Sequence, residues 1–324
     1  MHKNTKIWLN YTVGGAISFF LLWSIYGQVM KQYTSMPNWE LTGNAWFLVL
    51  CVGLMFTNTS LEGYKWFLLS RTVGPVAYSR AFSSYLAGVA FSIITPNRVG
   101  EYPGRILYLG KGNTFRYINV SVLGVISQLS AVYIFGLAGL IYYNFFMPQG
   151  MAIATTQGLF GYYVPKVALV ACLVVNILMI AAYWRFEDLL AVLGRVSWLS
   201  KFVTYARLLQ RVGIRQQLLV LGISLLRFGI FTAQFLLLLK YMNVDVPMVP
   251  CFCLASLFFW IMAVIPSIAL TELGIRGKVS LFLFQPFSSN VMGILAASVG
   301  LWLLNLIIPS IIGSILIIRM KILR

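Results

Sequence analysis

The chain reads as an all-α polytopic membrane protein, with about six full transmembrane helices plus two broken, re-entrant helical hairpins in an inverted repeat. Three observations predict this. The 324 residues are 60% hydrophobic and only 10% charged, with a mean hydropathy of +0.86, far from the composition of a soluble domain. Apolar runs of about 20 residues, the length that crosses hydrocarbon, recur along the whole chain. Two shorter apolar runs each end in the same polar pattern of Pro, then Glu, then Arg four residues on.

In chain order, the full spans fall near 7–30, 44–70, 118–143, 163–184, 216–240 and 291–318. The first is too long for a signal-peptide core and lacks a clear cleavage site, so it reads as a retained anchor. The shorter runs lie near 79–95 and 250–265, a length that suits re-entrant or broken helices better than full crossings. One polar break follows each of them: Pro96-Asn97-Arg98-Val99-Gly100-Glu101-Tyr102-Pro103-Gly104-Arg105, and Pro266 through Thr271-Glu272-Leu273-Gly274-Ile275-Arg276. The longest polar loop, 185–215, mixes apolar side chains with Arg185, Arg195, Lys201, Arg207, Arg211 and Arg215, and reads as an amphipathic basic linker on the inner leaflet. The whole is a single membrane domain, 1–324, with repeat one at about 44–143 and repeat two at about 216–318.

Charge sets the orientation. The formal net charge of +17 is spread over the ends of apolar runs and not gathered on a polar face, which argues for positive-inside bias and anionic lipid rather than nucleic acid. Six spans and two re-entrant hairpins put Lys3, Lys6, Arg71, Arg80, Lys111, Arg116, the 185–215 loop and Arg319, Lys321 and Arg324 on the cytoplasmic side, together with both termini. Loops 31–43, 144–162 and 241–249, nearly free of Lys and Arg, then face out. The first break enters from the cytoplasmic side and the second from the outer side, so two units of like order lie in opposite orientation. This topology belongs to a multi-pass protein of the inner (plasma) membrane.

The chain holds seven acidic residues, and two of them sit in the breaks. An ionisable group at membrane depth costs roughly 2.5–3.5 kcal/mol on insertion scales, and persists mainly where it lines a cavity or finds a partner. Pro103 and Thr271 suit a helix start, as a first-turn proline and an N-cap hydroxyl. Helix N-termini favour anions, and Arg105 and Arg276 add forked donors matched to phosphate oxygens. Glu101 and Glu272 either hold those arginines or accept from a headgroup amine or hydroxyl. The simpler alternative is a Glu–Arg pair at helical spacing that neutralises itself. Arg227, near the middle of its span, needs a partner, and Glu101 or Glu272 are the candidates. Arg98, Glu101, Arg105, Arg227, Glu272 and Arg276 therefore form the expected substrate-binding set. Glu62 and Lys65 can neutralise each other on one helix face, and ordinary pairing is as good a reading as substrate contact. Gln128, Asn176, Gln234 and Asn305 read as interhelical hydrogen-bonding groups. Cys51, Cys172, Cys251 and Cys253 lie in apolar stretches without metal or redox spacing and read as packing residues.

No phosphate-binding loop, dinucleotide fingerprint, zinc-protease motif or serine-hydrolase elbow is present, and neither a catalytic residue nor a cofactor is expected. The stretch Tyr85–Arg105, with Gly88, Pro96, Gly100-Glu101 and Arg105, resembles the signature of the lysylphosphatidylglycerol synthase transmembrane region, the flippase part of the multiple peptide resistance factor proteins. Ile265-Pro266 through Glu272-Leu273-Gly274 is similar to that family's second polar motif, and the likeness spans roughly 10–318. The resemblance implies movement of an aminoacylated or other phospholipid between leaflets; other relatives are linked to polyprenyl-phosphate sugar or hopanoid pathways. The soluble aminoacyl-transfer domain of the full-length enzymes is lacking here, which speaks against synthase activity. Thr271 also stands where the first break has Gly100, so the two halves need not act alike.

The reading that follows is a flippase-like lipid translocase, binding a phospholipid or polyprenyl-phosphate headgroup in a midplane polar cavity. Its expected partner is a membrane lipid with an anionic or phosphate-bearing headgroup and not nucleic acid, and the reading leaves room for a homo-oligomer or a partner synthase. The alternative is a membrane enzyme or subunit in lipid or glycan assembly that uses a polyprenyl-linked donor. A scaffold docking a synthase through 185–215 is the blander third option.

Overall fold

The computed structural model describes residues 23, 44–93, 95, 98–109, 114–147, 159–185, 212–265 and 269–318. Among these, every regular element is helical, which matches the expected all-α class. The expected first span, the loop 31–43 and nearly all of the 185–215 linker lie outside the described residues.

Helix α1, Ala45–Arg71, is capped by the Asn44 side chain, which accepts from the Trp46 amide at 3.0 Å. It buries Cys51, Met55, Asn58, Glu62, Lys65, Trp66 and Leu69, a stripe at three- and four-residue spacing. Helix α2, Tyr78–Ser92, has 15 residues, about 22 Å of rise against a hydrocarbon core of about 30 Å. The chain then reverses into α3, Glu101–Leu109, which folds back against α2. Two contacts make this reversal tight. A Cβ on Gly104 would lie 2.9 Å from the Gly88 Cα, and one on Gly88 would lie 2.5 Å from the Glu101 carbonyl oxygen, so both positions require glycine. Pro103 falls in the first turn of α3, as expected. Arg80 donates to the Leu109 carbonyl at 2.9 Å and closes the other end.

Helix α4, Thr114–Ile141, continues through a π-helical turn, Tyr142–Phe146. Helix α5, Leu159–Trp184, leans on α4, with Asn176 donating to the Tyr133 carbonyl at 3.0 Å, and leaves Val167, Val170, Val174, Ile177 and Leu178 exposed. That bare apolar face suits lipid. Helix α6, Ile214–Tyr241, lies along α1 and runs antiparallel to it. Gln216 donates to the Leu68 carbonyl at 2.9 Å at one end, and Gln234 to the Cys51 carbonyl at 2.9 Å at the other.

Helices α7, Met248–Val264, and α8, Ala269–Phe284, form the second hairpin. Helix α8 starts two residues before Thr271. Thr271 therefore falls inside the first turn and not at the N-cap position expected from sequence. A last rod comprises α9, Val291–Trp302, a π-helical turn, Leu303–Ile307, and α10, Ile308–Ile318. Among the described residues, five helical stretches are long and apolar enough to cross a membrane: Ala45–Arg71, Arg116–Phe146, Tyr163–Ala181, Ile214–Tyr241 and Val291–Ile317. They coincide with the five expected spans that fall within the described residues.

The same helix order thus occurs twice, as α1–α4 and as α6–α10, and the packing is reciprocal. Helix α4 lies against α7, with a Cβ on Gly139 falling 2.6 Å from the Cys253 carbonyl oxygen and 2.8 Å from the Leu257 nitrogen. Helix α10 lies against α2, with a Cβ on Gly313 falling 1.9 Å from the Leu86 carbonyl oxygen. Close approach at small residues is how helices associate where no hydrophobic effect drives them together.

Candidate functional site

Three of the chain's seven acidic residues, Glu62, Glu101 and Glu272, gather with five cations between the two hairpins and the α1–α6 pair. Glu62 is the hub. Its Oε1 accepts from Arg105 at 2.9 Å, and its Oε2 accepts from Lys65 at 2.8 Å and also from Arg227. Arg227 further donates to Asn58 at 3.0 Å and to Gln128 at 2.8 Å, and Asn58 donates to Asn305 at 3.0 Å. Lys65 reaches Gln128 at 3.3 Å and Ser224 at 3.4 Å. Helices α1, α3, α4 and α6 and the second π turn therefore meet in one polar network. The π turn matters here, since one extra residue in the turn re-aims a side chain within an otherwise regular rod.

Arg105 is held by two carboxylates and two rings, with its Nε buried and unpartnered. Its guanidinium is shared by Glu62 and Glu101, and it lies over the rings of Trp66 and Tyr85 at 5.2 and 5.1 Å. Its backbone carbonyl accepts from Ser84, which in turn accepts from Trp66. Arg276 is held less. It donates one bond to Glu272 at 3.0 Å and lies over the Phe258 ring at 5.5 Å, while its Nε and Nη1 are buried without a hydrogen-bond partner.

The two breaks touch. Arg98, from the first, donates to Glu272, in the second, at 2.9 Å. The same carboxylate oxygen accepts from Arg276, so two guanidinium groups converge on one atom. Arg98 adopts a left-handed backbone, φ 58°, a conformation that non-glycine residues take only where the surrounding structure holds them. Next to it, the Gly100 amide donates to the Thr95 hydroxyl at 2.7 Å and fixes the turn. Glu101 and Glu272 each sit in a first helical turn, where the helix dipole favours negative charge.

All six residues expected from sequence are ion-paired, in two clusters: Glu101, Arg105 and Arg227 are linked through Glu62, and Arg98, Glu272 and Arg276 pair across the two breaks; both Glu–Arg pairs at helical spacing form. One expectation is corrected: Arg227 pairs with Glu62, not with Glu101 or Glu272. The reason is that α1 and α6 lie side by side along their length, which brings Glu62 opposite Arg227. Glu62 and Lys65 do form the expected local pair, but they also anchor the network, a role that sequence reasoning missed. Rarity of acidic residues, the argument that singles out Glu101 and Glu272, applies to Glu62 equally. Gln128 and Asn305 bond between helices as expected, yet to charged or amide groups of this site. The four cysteines are not disulfide-bonded, with Cys51, Cys172 and Cys251 buried. Among the described residues no three His, Cys, Asp or Glu side chains converge to hold a metal ion.

Two broken hairpins tied by charge at the centre of an all-helical bundle define a polytopic membrane protein with an internal ionic site. The chain belongs to the family described as Lysylphosphatidylglycerol synthase TM region, whose model matches residues 11–313. That membership connects it with membrane lipid. Comparison with curated proteins and with solved structures gave no match.

Proposed function

We propose that the chain is a flippase-like lipid translocase of the inner (plasma) membrane, binding a phospholipid or polyprenyl-phosphate headgroup at the charged centre between the two breaks. The observation that carries the reading is the Arg98–Glu272 contact. It joins two polar tips that lie far apart in sequence into one site inside the bundle. Arg98, Glu101, Arg105, Arg227, Glu272 and Arg276 supply that site. Among the named charges there, three carboxylates face five cations, and an anionic headgroup supplies the missing negative charge.

An inverted repeat, about 44–143 and about 216–318, supplies the moving parts. Three observations support it. Helices α1 and α6, which open the two units, run antiparallel. The long last helix of each unit packs on the short helix of the other. The same number of positions separates Glu101 from Glu272, Arg105 from Arg276, and Leu86 from Leu257, the two leucines against which Gly313 and Gly139 press. Rocking one unit against the other exposes a midplane site to each leaflet in turn.

Reconstituted vesicles test this. The purified chain is expected to speed transbilayer movement of a fluorescent phosphatidylglycerol or polyprenyl phosphate, measured by chemical quenching of the outer leaflet. Protein-free rates for both lipids overturn the reading. Orientation is checked separately with reporter fusions. A fusion after Arg324 is expected to report the cytoplasm and one in the loop at Asp245 the outside; the same side for both contradicts two oppositely inserted hairpins.

A further inference from the structure

The two halves of the charged centre are not equivalent, and the difference shows where an anion goes. In the first half, Arg105 gives Nη2 to two carboxylates, Glu62 and Glu101, and leaves one buried nitrogen, Nε, without a partner. In the second half, Arg276 has Glu272 alone, and Glu272 is shared with Arg98. Each half carries one cation in excess, three against two in the first and two against one in the second, but Arg276 keeps two buried nitrogens empty where Arg105 keeps one. Arg276 is only 5% exposed, and its Nε and Nη1 hydrogens point at no acceptor. A buried donor left empty is unfavourable, and release of Nη2 from Glu272 pairs it with the empty Nε on one side and the empty Nη1 on the other, the forks that match a phosphate or another oxyanion. The Oε1 of Glu272 already stands, at 2.9 and 3.0 Å, where such an oxygen bridges both guanidinium groups.

We infer that the seat for the phosphate is the Arg98–Arg276 pair alone, with Glu272 as a resident carboxylate that competes with the incoming anion for it. This rests on the headgroup-binding reading above and narrows it to one half of the site. Arg98 is the more accessible member, with a side chain 41% exposed, whereas Arg276 is sealed in. Binding of a phosphate oxygen releases Arg98 from Glu272, so that loading the site and untying the two hairpins are one event. A phosphodiester within a lipid headgroup and free phosphate share this chemistry.

The test is equilibrium binding to the full chain in neutral detergent, comparing phosphatidylglycerol with a diacylglycerol of the same acyl chains, which lacks only the phosphoglycerol. The native chain is expected to prefer the phospholipid by about tenfold or more, and Arg276→Gln and Arg98→Gln to reduce that preference to about twofold or less. Glu272→Gln, which removes the competitor, is expected to tighten phospholipid binding by about threefold or more. Lys278→Gln, exposed on the same helix, serves as the control and keeps the native preference. Displacement of the phospholipid by millimolar inorganic phosphate assigns the seat to the free anion as well; resistance assigns it to the lipid phosphodiester. Retention of the preference in folded Arg276→Gln, or weaker binding in folded Glu272→Gln, overturns the inference. A preference that is lost in Arg276→Gln, in a chain that moves no lipid across vesicles, keeps the seat and removes the translocase.

Discussion

Glu62→Gln is expected to lower the stability of the folded chain more than any other single charge change. The substitution leaves Lys65, Arg105 and Arg227 around a neutral amide, with only Arg105 keeping a second carboxylate. Removing one member of a buried ionic network costs about 3–5 kcal/mol, because the partners stay desolvated and unneutralised. That is a large fraction of the margin of a typical fold, about 5–15 kcal/mol. The detergent-solubilised protein is expected to lose its monodisperse elution after mild heating at temperatures the native chain survives. A second change, Lys65→Met, removes one stranded cation and should recover part of the loss, a non-additivity that a double-mutant cycle measures. Native-like heat resistance in Glu62→Gln would show that the three cations are hydrated and not held by this carboxylate.

Gly313→Ala is expected to have the next largest effect, by a different route. The added methyl meets the Leu86 carbonyl oxygen at 1.9 Å, a backbone atom that no side-chain rotation can move aside. Helices α10 and α2 must separate, and overpacking of this kind costs about 1–3 kcal/mol or more. Gly139→Ala, at the reciprocal contact of α4 with α7, meets the Cys253 carbonyl at 2.6 Å and should be milder. Gly53→Ala on α1 meets nothing within 4 Å and is expected to be neutral or slightly stabilising, through alanine's better helix propensity. Thermal unfolding of the three variants should fall in that order. If Gly313→Ala and Gly53→Ala unfold alike, the two units do not interlock at these glycines.

Part of the charged centre is legible in the amino-acid order. Glu101, Arg105, Glu272 and Arg276 stand out because each pair sits at a four-residue spacing after an apolar run, and local spacing is a one-dimensional signal. Arg98 and Arg227 stand out because isolated charge in an apolar chain demands an explanation. Their partners do not stand out. Arg227 finds Glu62 across 165 positions and Arg98 finds Glu272 across 174, and no spacing rule connects residues so far apart. The part played by Asn305 is hidden for a further reason: it depends on a π turn that re-aims one side chain in a rod that reads as ordinary helix.

By itself, the order of residues determined the class, the spans within the described residues, the two hairpins and the residues too costly to be incidental. Those properties follow from hydrophobic length and from the penalty on charge in hydrocarbon, both of which are readable along a line. Only the tertiary structure decided which charge neutralises which, that Glu62 and not a break residue holds Arg227, and that Arg276 keeps two donors empty where Arg105 sits between two carboxylates. Those outcomes depend on how the helices rotate and cross, and that is set by the joint packing of every helix in the bundle.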